Sequence, residues 1–194
     1  MNKIILASNN SNKLIEFRAI FTNHNIISLS ELGFNKDIPE TGSTLEENAL
    51  IKVREIFKVT NATCISDDTG LEVDALNGSP GVFSARYAGA PPNAKENIKK
   101  LLTELDGSLD RKAQFRTVIA YKNFNQELLF EGIVQGSITL RPKGSSGFGY
   151  DPIFIPKDYQ LTFAEMSIDI KNNISHRSNA IKKLKAYFLS QNII

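Results

Sequence analysis

Short apolar runs alternate along this chain with stretches of helical period. "KIILAS" predicts a buried strand, followed by the polar turn "NNSN". From Lys13, the positions Leu14, Phe17, Ile20 and Phe21 follow a helical stripe. "NIISL" predicts a second strand, and Leu32 to Thr41 a loop carrying Pro39 and Glu40. Ser43 and Glu46 have capping-box spacing and open a long helix whose buried face is Leu45, Ala49, Val53, Ile56 and Phe57. "TCISD" predicts a third strand that runs into Asp67 and Asp68 and then turns at a glycine. After a segment rich in glycine and proline, "NGSPGVFSARYAGAPPNA", Asn93 starts a helix with Ile98, Leu101, Leu102 and Leu105 inward. "AQFRTVIAY" and "LLFEGIVQGSITL" alternate as paired strands about the turn "KNFNQE", and "SNAIKKLKAYFLSQ" is an amphipathic terminal helix. Units of strand and helix mixed with a hairpin predict an α/β fold, a mixed sheet covered by helices.

The length of 194 residues fits one domain, or one domain built as two lobes. With 41% hydrophobic residues the chain can bury a sizeable core without a disulfide or a structural metal. A net charge of +2 is too balanced for a nucleic-acid or membrane-surface role. The sole cysteine, Cys64, sits in an apolar run and reads as a buried structural thiol. The first residues hold only a short apolar stretch, which predicts neither a signal peptide nor a membrane span and makes the cytoplasm the expected setting.

Several places could carry chemistry. At "ASNNSNK" a strand ends in small polar residues and a helix begins, which aims backbone N–H groups and the Lys13 charge at one point; an ordinary asparagine cap is the plainer reading. Asn48 and Lys52 lie one helical turn apart, off the apolar stripe, within reach of a phosphate or simply solvated. Asp67 and Asp68 are adjacent on a strand, so their side chains leave from opposite faces, one facing a site and the other supporting it. A carboxylate facing phosphate needs a cation, and Mg²⁺ fits a site of few protein oxygens. "GSSGFGYDP" sets glycines around Phe148 and Tyr150, as a platform for a flat ring or as an ordinary turn with core aromatics. "KNNISHRS" clusters Lys171, His176 and Arg177 as donors ahead of the terminal helix. No serine elbow, CxxC pair or HExxH helix is present, so covalent and zinc chemistry lack support.

Taken together and in order, "ASNNSNK", "ETGSTLEENALIK", "SDDTGLEVDALNGSPGVFSARYAG", "GFGYDPIF" and "NNISHRSNAI" resemble the Ham1-like inosine triphosphate pyrophosphatases, also called XTP/dITP diphosphatases, over essentially the whole chain. The resemblance implies an elongated mixed sheet flanked by helices, in two lobes with a central active-site cleft, and a homodimer. It implies hydrolysis of deaminated purine nucleoside triphosphates to monophosphate and pyrophosphate. On the matching positions Ser8, Asn9, Asn10, Ser11, Asn12 and Lys13 would hold the triphosphate with Lys52, while Glu40 and Asp68 would bind Mg²⁺. Asp68 would also accept the proton of the attacking water, with Asp67 supporting it and Thr69 touching the substrate. Phe148, Gly149, Tyr150, Asp151, Lys171, His176 and Arg177 would hold the base, their donors suiting an oxygen at position six. Three positions depart from the family pattern: Thr69 where serine is more usual, Ile170 where an acid is, and Ser178 where glycine is. A Maf-like pyrophosphatase of other modified nucleotides and a non-catalytic nucleotide-binding protein are the alternatives; the acids Glu40, Asp67 and Asp68 tell against the second.

Overall fold

The computed structural model describes residues 3–34, 36 and 38–191; Asn35 and Asp37 of the expected loop from Leu32 to Thr41 lie outside them. Strand β1 (Lys3–Leu6) leads to Asn10, whose Oδ1 accepts the N–H groups of Asn12 and Lys13 at 3.0 and 3.2 Å. That cap starts helix α1 (Ser11–Ile20) inside the stretch read as a polar turn. After β2 (Asn25–Ser28) comes α2 (Leu45–Thr60). Its capping box stands one residue beyond the expected one: Thr44 Oγ1 accepts the Glu47 N–H, and Glu47 Oε2 takes the Ser43 N–H and hydroxyl. Asn48 and Lys52 are buried along with the apolar face, whereas Phe57 is half-buried.

Strand β3 (Cys64–Val73) continues past the aspartates instead of turning at Gly70. Glycine serves close approach there: a Cβ on Gly70 would lie 2.6 Å from the Gly81 carbonyl oxygen of β4 (Pro80–Gly81), which pairs antiparallel with β3. Helix α3 (Ala94–Glu104) is capped by Asn93 as expected. Strands β5 (Lys112–Lys122) and β6 (Glu127–Ile138) flank the predicted turn, and β7 (Phe154–Pro156) follows. Two helices close the chain, α4 (Ile168–Ile174) and α5 (His176–Ser190), so Lys171 belongs to a helix the periodicity missed and α5 starts two residues early. A helix of seven residues is too short to display a stripe.

Among the described residues seven strands form one sheet in the order β2-β1-β3-β5-β6-β7, with β4 on β3. β1 pairs parallel with β2 and β3, and β6 antiparallel with β7, so the sheet is mixed, as predicted. The chain divides into two compact units, each with its own core. Unit 1 (Met1–Asp68, Thr117–Gly132, Arg177–Ile194) is built on Phe17, Phe21, Ile65, Tyr121, Leu184 and Phe188. Unit 2 (Thr69–Arg116, Ile133–His176) is built on Leu71, Leu101, Phe115, Phe154 and Phe163. Each such apolar side chain contributes about 1.5–3 kcal/mol when buried. Cys64 is fully buried with its thiol pushed up to about 12 by burial, the structural thiol expected. No described helix is long and apolar enough to cross a membrane.

Candidate active site

Because side chains alternate along β3, its two aspartates serve different layers of unit 1. Asp67 faces α1 and α5. Its Oδ1 lies 2.9 Å from Lys13 Nζ, and its Oδ2 accepts from Arg177 Nε at 2.9 Å. Arg177 Nη1 also donates to Glu16 Oε2 at 2.5 Å, which completes a buried quartet of Lys13, Asp67, Arg177 and Glu16. Burial would raise the Asp67 carboxyl, but Lys13 and Arg177 outweigh it and hold the group far below the usual range. Arg177 is driven upward despite burial by Asp67 and Glu16, while burial lowers Lys13 even with Asp67 beside it.

Asp68 faces α2. Its Oδ2 accepts from Asn48 Nδ2 at 3.2 Å and its Oδ1 from Lys52 Nζ at 3.0 Å. Lys52 also donates to Glu40 Oε1 at 2.8 Å and to the Asp67 carbonyl oxygen at 2.7 Å. Asn48 Oδ1 accepts the Gly42 N–H at 2.8 Å, and a Cβ on Gly42 would collide with that oxygen, so one amide ties the Glu40 loop to Asp68. Burial and the neighbouring Glu40 charge raise the Asp68 carboxyl against the pull of Lys52. Burial acts on Glu40 too, but Lys52 prevails and holds it low. Lys52 itself is raised, since Asp68, Glu40 and Asp67 overcome its burial.

Around this corner three cations, Lys13, Lys52 and Arg177, meet four carboxylates, Glu16, Glu40, Asp67 and Asp68. The excess is negative. Among the described residues no three His, Cys, Asp or Glu converge as a metal cage. Glu40 and Asp68 alone suit a hard cation that completes its shell with phosphate and water.

The first turn differs from expectation. Asn10 Oδ1 takes the N–H groups of Asn12 and Lys13 that an anion was expected to find, and Ser8 Oγ takes that of Asn10 at 3.2 Å. Asn9 Nδ2 donates to the Phe34 carbonyl oxygen at 3.3 Å. Ser11 and Asn12 are exposed, Ser8 and Asn9 half-buried, so the turn offers polar side chains and the Lys13 ammonium more than bare backbone.

The residues expected at the base fall into two groups. In unit 2 Asp151 Oδ2 accepts from Phe148 N and from Lys171 Nζ, both at 2.7 Å, and Lys171 Nζ lies 4.7 Å from the centre of the Phe148 ring. Gly147, at φ +75°, has no room for a Cβ against Asp151. Phe148 and Gly149 are half-buried and so is Thr69, whereas Tyr150 is a core residue whose hydroxyl donates to the Ser84 carbonyl oxygen at 2.9 Å. His176 is 4% exposed and stacks on Phe115 at 4.5 Å between centroids. Arg177 departs from the expected donor cluster, since Nε and Nη1 of its guanidinium are engaged with Asp67 and Glu16 in unit 1.

Sequence reasoning passed over Glu16 and Gly42. Glu16 stands three residues after Lys13 on the helix and next to the buried Phe17, an acid where the apolar stripe has its edge, and that was its one signal.

The chain matches the model of the Ham1 family over residues 4–187. It is 49% identical over 187 residues to the dITP/XTP pyrophosphatase of Flavobacterium psychrophilum, covering 96% of this chain and 98% of the relative. It is 50% identical over 188 residues to that of Staphylococcus epidermidis, covering 96% of each. The solved structure of the Staphylococcus aureus Ham1 protein superposes with a TM-score of 0.90 at 45% identity, over 98% of this chain and all of the other. A HAM1 protein from Coxiella burnetii gives the same score at 41% identity, with the same coverage.

Proposed function

The chain belongs to the Ham1 family, and from that premise we propose that it hydrolyses dITP, XTP and ITP to the nucleoside monophosphate and pyrophosphate, with Mg²⁺ held by Glu40 and Asp68. One observation carries the reading most: on adjacent positions of β3, Asp67 is locked among cations while Asp68 keeps a raised carboxyl beside Glu40. A carboxyl tuned upward is suited to take a proton, and a locked one to hold its neighbours in place.

In this reading water attacks the α-phosphorus. The new O–P bond forms as the bond from the α-phosphorus to the bridging oxygen breaks, pyrophosphate leaves, and Asp68 accepts the proton of the water. Lys13 spends two N–H groups on Asp67, at 2.9 and 3.2 Å, and turns the third to the phosphates. Ser8, Asn9, Ser11 and Asn12 add polar contacts there, and Asn10 holds the turn in shape. When bound, Mg²⁺ supplies the positive charge that the carboxylate excess calls for.

Phe148 offers the ring platform for the base, and Lys171, steadied by Asp151, donates to the oxygen at position six. His176 and Tyr150 hold this region from the core side. A site built to donate there leaves adenine, with its amino group, mismatched, and such a mismatch is worth orders of magnitude in discrimination. A homodimer working in the cytoplasm completes the reading, and light scattering at assay concentration tests the first part. Incubation with Mg²⁺ and ITP, XTP, dITP, ATP or GTP separately should release pyrophosphate from the first three and little from the last two. Release of orthophosphate would exclude the proposed bond cleavage, and equal turnover of ATP would exclude the base selection.

A further inference from the structure

We propose that in the nucleotide-free protein the Lys52 ammonium sits in the seat of the divalent cation, and that it withdraws from Glu40 or Asp68 only when metal and nucleotide arrive together. This rests on the reading of Glu40 and Asp68 as metal ligands. An ammonium has three hydrogens to donate. Lys52 spends them on the Asp67 carbonyl oxygen at 2.7 Å, Glu40 Oε1 at 2.8 Å and Asp68 Oδ1 at 3.0 Å, with its side chain 8% exposed. None remains for a phosphate. Lys13 contrasts with it: among the described residues it reaches only two acceptors, both on Asp67, and has a hydrogen to spare.

The two carboxylates that Lys52 joins are the two proposed to take the metal. Asp68 Oδ2 already accepts from Asn48, which leaves Oδ1, the oxygen Lys52 holds. A magnesium ion sits about 2.0–2.1 Å from its ligand oxygens. It would therefore crowd an ammonium that is 2.8 and 3.0 Å from the same pair. Metal arriving alone must strip a buried charge of two acceptors, and a buried charge without partners is unfavourable by several kcal/mol. Metal arriving with a triphosphate brings the replacement, since phosphate oxygens can accept the hydrogens that Lys52 gives up. Lys52 thus couples the two ligands: empty of nucleotide, the protein refuses the cation.

Mn²⁺ binding followed by electron paramagnetic resonance, without nucleotide, tests this on the full chain. Lys52→Met should bind Mn²⁺ at least about tenfold more tightly than the parent, a modest part of what one facing charge is worth at an effective dielectric near 20. Adding Glu40→Gln should abolish the gain. A Lys52→Met protein that binds Mn²⁺ no better than the parent overturns the proposal. Should Lys52→Met fail to fold, crystals of the parent soaked with Mn²⁺ and an α,β-imido analogue of dITP decide. Manganese between Glu40 and Asp68, with Lys52 beyond hydrogen-bond reach of at least one of them, supports the exchange; manganese there with both bonds intact overturns it. Bound nucleotide with no manganese at these carboxylates removes the metal assignment itself, a result distinct from the failure of Lys52 to move.

Discussion

Replacing Asp67 by asparagine takes one negative charge out of the quartet with Lys13, Arg177 and Glu16. Breaking a buried ion pair by removing one partner typically costs about 3–5 kcal/mol. Two features place this case at the lower end. Arg177 keeps Glu16 at 2.5 Å, and Lys13, whose side chain is 15% exposed, can turn toward water. The expected loss for Asp67→Asn is thus about 3 kcal/mol, a drop of about 1–1.5 M in urea midpoint for a slope of ~2–3 kcal/mol per M. The same substitution one residue later should behave differently. The Asp68 carboxyl is raised by burial and by Glu40, so its charge opposes folding at neutral pH, and Lys52 keeps Glu40 when Asp68 is neutralised. Asp68→Asn should change stability by less than about 1 kcal/mol, or increase it, and yet lose pyrophosphate release. Urea unfolding followed by circular dichroism at pH 7.5, with a pyrophosphate assay on both variants, measures the contrast. Equal destabilisation by the two substitutions would refute the division of labour along β3.

The depressed Asp67 carboxyl has a signature in acid: its stabilisation is complete above the unfolded value of about 3.9 and falls away as pH drops below it. Urea midpoints between pH 5 and 2.5 should decline less steeply in Asp67→Asn than in the parent. Gly147→Ala forces a side chain at φ +75° against Asp151, so it should raise KM for dITP with a far smaller effect on kcat, and an unchanged KM would show that the Phe148 loop does not touch the base. Asn48→Ala unties Gly42 from Asp68 and removes a hydrogen bond to a charged group, worth about 1.5–3 kcal/mol, and should lower kcat at least tenfold by steady-state assay. Cys64, with its thiol pushed up to about 12, should resist iodoacetamide at pH 8 until urea unfolds the chain, as intact-mass spectrometry can follow.

Local order and patterning determined much of this protein. The apolar runs at Lys3–Leu6 and from Cys64, the stripe through Phe17 and Phe21, the Asn93 cap and the β5–β6 turn follow from periods of two and 3.6 and from side chains that bond their own backbone. Such signals act within a few residues, so they can be read along a line. The order of the motifs likewise carried the family, and strand alternation alone separated Asp67 from Asp68. Tertiary structure decided which polar residues are buried and whom they meet. Arg177 bonds Glu16 from 161 positions away and Asp67 from 110. Nothing in "SHRS" or "KLIEF" foretells that meeting, because a buried charge is settled by whatever opposite charge the fold delivers within about 3 Å. Lys52 and Asn48, at positions a helical wheel leaves to water, are buried for the same reason: the carboxylate of Asp68 lies across from them. The turn at Gly70 was misjudged because glycine's service there is to a strand eleven residues on, and local pattern cannot see a neighbour that only folding supplies.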